Sequence, residues 1–476
     1  MKYQPSGRFL MIVGPLLPLV VALGFALHSE RPALEGRPNP GSGPPPPSAC
    51  VTGGIGIGGW SSFNEVRDFL EYRYEDLMTW DENPWKRPRN NSFGAHYFML
   101  SGSSDPIDRA RAEELRRLAR VWMDRLVATY PSLGTETRVV PDETNGFLQW
   151  LDFLERHGAG PPWTNTSLLK LPANLQNDGW NREEAETWLA ANQTILDEVR
   201  AIGLLPDRST AGIPLDRWHF VPARTMKECT DALLIEARLR AENGDAEGAI
   251  ESVEAVRGLP SHLAEVETPS LLAATVDILV QRSLQHEVLT HILPALPPDR
   301  IDLDRWEQAV RAEVRGPAGF ARLMRGEWEL TSGYWIIPML CDPEETRLPS
   351  DPDALVDFHA SYFDEVITRN ASDQPGDLSQ TDPEPTPDFS RLSRRSRSVA
   401  EMMYVGAGAW RRGWAQAQSS SALTRAAFSM MRGEPVPKDP VRGLPYRWDP
   451  ATRVLSMPDH ASFDEMRIEP IVVPRK

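Results

Sequence analysis

The chain has 476 residues, a formal net charge of −16 and an apolar fraction of 41%. A chain of this length is too long for one ordinary hydrophobic core, so one large or two moderate domains are expected. The acidic balance argues against general nucleic-acid binding, because a chain of this charge repels phosphate backbones.

An uncharged apolar run, FLMIVGPLLPLVVALGFAL, begins at residue 9. Its length suits a bilayer core, and Lys2 and Arg8 precede it without an acidic residue, which is the positive-inside pattern. This pattern predicts a cytoplasmic N-terminus at 1–8, a single membrane-spanning anchor at 9–28 and a bulk on the periplasmic side. The alternative is a cleaved signal peptide, because the same features precede a cleavage site, and the protein would then be secreted.

A proline-rich tether is predicted at 29–52, because chain of this composition is extended and semi-rigid. The run GGIGIGG follows it and contains G-x-G-x-x-G at Gly54, Gly56 and Gly59. A dinucleotide site needs a strand before this motif and a helix after it. A proline tether precedes it and no parallel-strand pattern follows, so we predict a hinge and no cofactor.

A helical domain is predicted over 53–370, with helical spacing of apolar residues near 62–80, 105–130, 147–156 and 182–202. The turn Trp80-Asp-Glu-Asn-Pro-Trp85 places two aromatic residues around two carboxylates. Such a set can bind a sugar or a cation. A helix terminator that packs through its tryptophans is the more common arrangement.

Three helices are predicted at about Met226–Glu242, Ala246–Gly258 and Ser270–Leu293. The first two enclose the short break Asn243-Gly244-Asp245, so they form a helical hairpin. The third begins LLAATVDILV and is apolar nearly all round, which predicts burial. Asp277 interrupts this run, and a buried carboxylate there needs a partner such as Gln281 or a distant base.

The hairpin resembles one tetratricopeptide-type repeat over Leu233–Pro260. The match is carried by the small residue of the first helix and by the spacing through the turn and second helix: Ala237, Gly244, Ala249, Val253 and Val256. Arg240 replaces the usual aromatic residue, and Pro260 comes one residue early. A stable array needs about three repeats, and no second copy follows at a fixed period. The resemblance therefore implies helical-hairpin packing, and it does not by itself predict a peptide-binding groove.

The segment His286-Glu287-Val-Leu-Thr-His291 is close to the zinc motif H-E-x-x-H. That motif needs histidines four residues apart on one helix face. Histidines five apart on an α-helix lie roughly 140° apart, since each residue turns the helix by about 100°. We therefore predict no metal site and no metalloprotease chemistry.

No other nucleophile or ligand motif occurs in the sequence. G-x-S-x-G and C-x-x-C are both absent, so the catalytic residues, if there are any, are unknown. The cysteines are Cys50, Cys229 and Cys341; a Cys229–Cys341 disulfide is one alternative, and separate buried thiols are the favoured one.

The C-terminal third continues the helical pattern, with helices predicted near 301–314, 318–331 and 353–368. Between the second and third helices, the apolar stretch YWIIPMLC at 334–341 is predicted to lie in the core. The carboxylates of Asp342, Glu344 and Glu345 are predicted to be solvated caps. A disordered linker is predicted at 371–393, because it is largely acidic and proline-rich. One long helix is predicted within 394–433.

The tail at 434–476 contains a β-hairpin signal around Trp448 and Val454. It resembles the D-P-x-x-G-x-P-x-x-Y/W tail of membrane-anchored bacterial envelope proteins and a similar segment of type II secretion pseudopilins. The matching residues are Asp439, Pro440, Gly443, Pro445 and Trp448. The pseudopilin N-terminal processing site is absent, so the resemblance implies architecture and no activity.

These patterns together predict a mainly all-α protein, an irregular, solenoid-like bundle of helical hairpins with a small C-terminal β-hairpin. The predicted function is a structural or protein-interaction role in the bacterial envelope, with the membrane and a protein as partners and an unknown ligand. The alternative is an all-helical envelope hydrolase or carbohydrate-binding protein, motivated by the 15 tryptophans and the carboxylate-rich turns.

Overall fold

The computed structural model describes residues 62–63, 65–67, 97, 100–101, 103, 105–158, 168–172, 175, 179–213, 217, 223–311, 317–343, 345, 348–371, 387–404, 407–440, 443–459 and 468–474. The predicted anchor, tether, glycine run and Trp80–Trp85 turn lie outside these residues, as does the acidic linker from 372 to 386. Among the helices of the described part, none combines the length and the apolar character needed to cross a membrane.

The described chain is mainly α-helical and ends in a small antiparallel sheet, so the predicted fold class is confirmed. The helices are α1 Pro106–Thr129, α2 Gly146–Arg156, α3 Arg182–Gly203, α4 Ala223–Glu242, α5 Ala246–Ala264, α6 Leu271–Glu287, α7 Leu293–Ala295, α8 Leu303–Ala309, α9 Pro317–Trp328, α10 Ile337–Cys341, α11 Pro352–Ala371, α12 Arg394–Met403 and α13 Ala407–Met431. The described part also contains π-helical segments at Val288–Ile292 and Glu329–Ile336 and 3-10 turns at Pro131–Leu133, Pro298–Arg300 and Phe389–Arg391. The strands are β1 Arg447–Asp449, β2 Val454–Ser456 and β3 Ile471–Val472.

The contacts divide the chain into two compact units. The smaller unit comprises the described residues of Met1–Trp122, Ile336–Asp357 and Asp388–Tyr404. The larger unit comprises the described residues of Met123–Trp335, Phe358–Pro387 and Val405–Lys476.

The larger unit is built on consecutive helices. Helices α3, α4, α5 and α6 pack on one another in chain order, and α13 packs against α6. The predicted hairpin is formed by α4 and α5, and Gly244 takes the left-handed conformation between them (φ 74°). Asp245 caps α5 by accepting the Gly248 N–H at 3.0 Å. Helix α5 continues beyond its predicted end at Gly258, through the buried Pro260, to Ala264.

The C-terminal sheet has the order β1-β2-β3. Trp448 pairs with Leu455 and, on the other side of β2, Leu455 pairs with Ile471. The predicted hairpin is therefore present and gains a third strand from the chain end. Leu455 is fully buried, because α13 packs against β2 and β3.

The Asp-Pro-x-x-Gly segment before the sheet forms a closed loop. The Asp439 N–H donates to the Leu444 carbonyl, and the Gly443 N–H donates to the Asp439 carbonyl, both at 2.8 Å. Gly443 has φ 67°, a conformation that favours glycine. The tail motif therefore has a local structural reason, namely a tight loop that leads into β1.

In the smaller unit, Ser393 begins α12 as its N-cap, and its backbone N–H donates to the Asp351 carboxylate at 3.0 Å. The hydroxyls of Ser393 and Ser396 also donate to Asp351. The end of the predicted disordered linker, 387–393, is therefore ordered. The single long helix predicted after it is instead two, because the chain becomes extended at Tyr404 (ψ 120°).

Candidate functional site

A π-helical turn interrupts the third predicted central helix. It spans Val288–Ile292, and the N–H of Leu293 donates to the carbonyl of Val288, five residues earlier. An α-helix joins residues four apart, so the turn holds one additional residue. The predicted helix Ser270–Leu293 is thus α6, a π turn and the start of α7.

Apolar residues before and within the π turn are buried in the main core. Leu284, Val288 and Ile292 are all fully buried, and they recur every four residues. Three residues at this spacing cover about 80° of an α-helix, which is within the ordinary width of a buried face. This apolar spacing therefore does not by itself predict the π turn.

The π turn brings His286, Glu287 and His291 together. One ligand atom from each of the three side chains lies within 4.8 Å of the others. The two imidazole rings are 6.2 Å apart between centroids and nearly perpendicular, at 80°. The 140° separation expected for an α-helix does not apply, because the helix between the histidines is not α.

The three side chains are a set that could hold a transition-metal ion. Two imidazoles and one carboxylate are ligands that Zn²⁺ uses, and three protein ligands leave a fourth position open. Tetrahedral donors with bonds of 2.0–2.1 Å stand roughly 3.3 Å apart, so rotation of the side chains would close the site. His286 is exposed, while Glu287 and His291 are half-buried, so an ion can reach them from solvent.

The described histidines of the core have structural roles. His262 Nε2 donates to the Ile202 carbonyl at 2.9 Å, and burial lowers the pKa of His262 to about 4. Ser332 Oγ lies 3.0 Å from Nδ1 of His359, and burial lowers the pKa of His359 to about 3. An imidazole with so low a pKa is a weak base, and this serine–histidine pair is only 2% and 4% exposed. The pair is therefore a buried hydrogen bond and not an accessible nucleophile.

Two buried carboxyl groups lie at or against α6. Asp277 is buried, and the Gln281 side chain donates to it at 3.4 Å, so the predicted partner is confirmed. Glu327 accepts the N–H of Leu271, the first residue of α6, at 3.0 Å. Burial raises the pKa of Glu327 to about 7, although this hydrogen bond acts in the opposite direction. Glu327 therefore binds the first residue of α6, and Asp277 is bonded to the next turn of the same helix.

A charged network lies inside the helix stack. The Glu236 carboxylate accepts hydrogen bonds from Arg200 on α3, from Arg240 at 3.0 Å and from the Ser252 hydroxyl at 3.0 Å. Arg240 also donates to the Gly248 carbonyl at 3.1 Å. The residue that departs from the tetratricopeptide pattern thus ties the two helices of the hairpin together by hydrogen bonds, where that family packs an aromatic ring.

An open depression beside the start of α3 contains a tryptophan and two carboxylates. It is lined by Asn181, Glu183, Glu184, Thr187, Trp188 and Ala191. Asn181 is the helix cap, acidic residues are favoured in a first helical turn, and Trp188 donates to the Lys170 carbonyl at 3.0 Å. These roles in capping and packing explain why these residues occur here, and no bound sugar is needed to explain them.

The remaining sequence-predicted groups are structural where they are described. Cys229 and Cys341 are buried free thiols, and burial raises the pKa of each. Asp342 and Glu345 are buried, so their prediction as solvated caps was wrong. Both lie in a turn where the Arg67 guanidinium donates to the carbonyls of Pro343 and Glu345 at 3.2 and 3.0 Å.

The chain matches no protein-family model, no curated protein and no solved structure.

Proposed function

We propose that this chain is a membrane-anchored scaffold protein of the bacterial envelope, which acts through contacts with another protein on the extracytoplasmic side. The observation that carries the proposal is the stack of α3 to α6, in which consecutive helices pack on one another. Repeat proteins that stack helices in this way present extended surfaces to protein partners, and we extend that role to this single stack by analogy of architecture alone.

The chemistry of the described interior supports a scaffold. Arg200, Glu236, His262 and His359 are buried and hydrogen-bonded to neighbouring helices or turns. Groups placed in this way specify packing and do not face a substrate. The membrane part of the proposal rests on the apolar run at 9–27 and the preceding Lys2 and Arg8.

Two exposed valines support contact with a protein. Val139 is 86% exposed in a segment without regular secondary structure, and Val472 is 62% exposed on β3. Within the described chain, β3 is the last strand of its sheet, and an edge strand can pair with a strand of a partner.

The anchor is tested by fractionating cells that express the full-length chain. We expect the chain to stay in membranes washed with alkaline carbonate and to be digested by protease added to spheroplasts. The double variant Leu17→Arg/Val20→Arg should release it, whereas Ala33→Arg in the tether should not. A wild-type chain found in the soluble periplasm would support signal cleavage instead.

The interaction is tested with photoreactive amino acids placed at Val139 and Val472 of the full-length chain in the envelope. We expect one specific cross-linked protein, with no such product from the exposed polar position Asp304. Equal labelling from all three positions would show random collision and count against a defined partner.

An envelope hydrolase is the second candidate, favoured by the His286, Glu287 and His291 cluster, since hydrolytic zinc sites use this donor set. Zinc-dependent hydrolysis of an envelope peptide or glycan by the full-length chain, lost in His291→Ala, would support it. Unchanged rates with and without zinc would exclude it.

A further inference from the structure

We infer that His286, Glu287 and His291 form a binding site for a divalent transition-metal ion of the Zn²⁺ type. We further infer that the π-helical form of 288–292 is what makes this site. The inference does not depend on the scaffold function. It follows from the geometry of one turn and from the side chains that this turn displays.

The donor set selects the class of ion. Imidazole nitrogen suits zinc, copper and nickel, whereas magnesium and calcium prefer sites built from oxygen alone. The carboxylate of Glu287 supplies one negative charge against the two positive charges of the ion. The chain has a net charge of −16, which raises the local concentration of cations around it. A site with two nitrogen donors and one oxygen donor is therefore expected to take Zn²⁺ and to discriminate against Mg²⁺.

The core prepares the site before an ion arrives. Val288, Leu289 and Ile292 are buried in the main core and hold the inner side of the π turn. The same turn packs against α4 and β3. Because these contacts already fix the backbone of the π turn, only rotation of the side chains is needed to bring the ligand atoms onto the ion. A preorganised site binds more tightly, because less free energy is lost in ordering the protein when the ion binds.

The ion in turn stabilises this form of the turn. In an α-helical form the two histidines would lie roughly 140° apart, so one ion could not reach both. An ion that binds only one of two conformations shifts the equilibrium towards that conformation. It also stabilises the folded state, because the unfolded chain has no assembled site.

Binding is measured by titrating the full-length chain, purified in mild detergent, with Zn²⁺ in the presence of a chromogenic chelator. We expect one tight equivalent. The variants His286→Ala and His291→Ala should each weaken binding at least about tenfold, and Glu287→Gln should weaken it as well. Mg²⁺ at the same concentration should not compete.

Two matched variants keep the test specific. His157→Ala removes a partly exposed histidine that also contacts a carboxylate, Glu198 at 3.1 Å, and it should leave binding unchanged. Thr290→Ala alters an exposed residue of the π turn itself and should also leave it unchanged. Equal binding by wild type and His291→Ala would mean an adventitious ion only and would overturn the proposal.

The dependence on the π turn has its own measurement. Zn²⁺ should slow amide hydrogen exchange at Leu293, whose N–H makes the five-residue hydrogen bond, and have no effect on α8. Deletion of Thr290 should leave the histidines four apart on an α-helix and retain zinc binding. Loss of binding in this folded deletion variant, or unchanged exchange at Leu293, would overturn the role of the π turn.

Discussion

Gly258 on α5 lies directly against the backbone carbonyl of Gly203 at the end of α3. A Cβ atom built on Gly258 would overlap that oxygen, and one built on Gly203 would overlap the carbonyl of Ala255. Two helices therefore approach at their backbones, and neither side has a flexible atom that can move away.

We expect Gly258→Ala to lower the free energy of unfolding by about 1–3 kcal/mol or more, because the methyl group must displace a main chain. Urea unfolding of the full-length chain, followed by circular dichroism, measures it. The control is Gly413→Ala, where nothing lies within 4 Å of the added carbon. That change should stabilise α13 by about 0.4–1 kcal/mol, since alanine loses less backbone entropy. Equal effects at the two sites would contradict the close approach.

Glu236→Ala should be one of the more damaging substitutions in the larger unit. It removes the carboxylate that pairs with the buried Arg200 and leaves that guanidinium without its main partner. The expected loss is about 3–5 kcal/mol. Glu251→Ala removes an exposed carboxylate 3.7 Å from Arg240 and should change stability by less than about 0.5 kcal/mol. The double change Glu236→Ala/Arg200→Met should recover part of the loss, and the absence of any recovery would argue against a buried pair.

Two buried histidines should make the chain sensitive to acid. His262 and His359 are neutral when folded, since burial lowers their pKa values from 6.5 to about 4 and about 3. Below pH 6.5 the unfolded chain binds a proton at each site while the folded chain does not. Each group then costs about 1.4 kcal/mol of stability per pH unit, down to its folded pKa.

His359→Gln tests this sensitivity. Glutamine can keep a hydrogen bond to Ser332 but does not titrate. The stability difference between wild type and this variant should shift in favour of the variant as the pH falls from 6.5 to about 4. A difference that stays constant with pH would contradict the low pKa.

Glu327 should give the opposite dependence. Burial raises the pKa of its carboxyl group from 4.5 to about 7, so the folded state holds a proton that the unfolded state releases. Its contribution is complete below pH 4.5 and is lost as the pH rises through about 7. Glu327→Gln keeps an oxygen acceptor for the Leu271 N–H without this loss. Urea unfolding gives the free energy of unfolding of the variant minus that of the wild type at each pH. This difference should be up to about 3 kcal/mol larger at pH 8 than at pH 4.

Much of the helical architecture could be predicted because its signals are local. Apolar spacing marks one face of each hairpin helix, at Leu233, Ala237 and Ala241 on the first and at Ala249, Val253 and Val256 on the second. Gly244 marks the turn between them. The Gln281 partner of Asp277 follows from the same logic, because residues four apart on an α-helix are neighbours. The β-hairpin of the tail was also predicted from its local pattern.

Other features depended on distant residues. The hydrogen-bond partner of His359 is Ser332, and that of Glu236 includes Arg200, which is 36 positions away. No periodicity connects such pairs, because they meet only when separate helices pack.

The sequence by itself determined the helices and the hairpin, and its spacing argued against a metal site at His286, Glu287 and His291. Only the tertiary structure decided that these three side chains meet. A π turn is rare on local grounds, and here the residues on its inner side, Val288, Leu289 and Ile292, are buried in the core. The distance between the two histidines follows from this turn, which their spacing along the chain does not record.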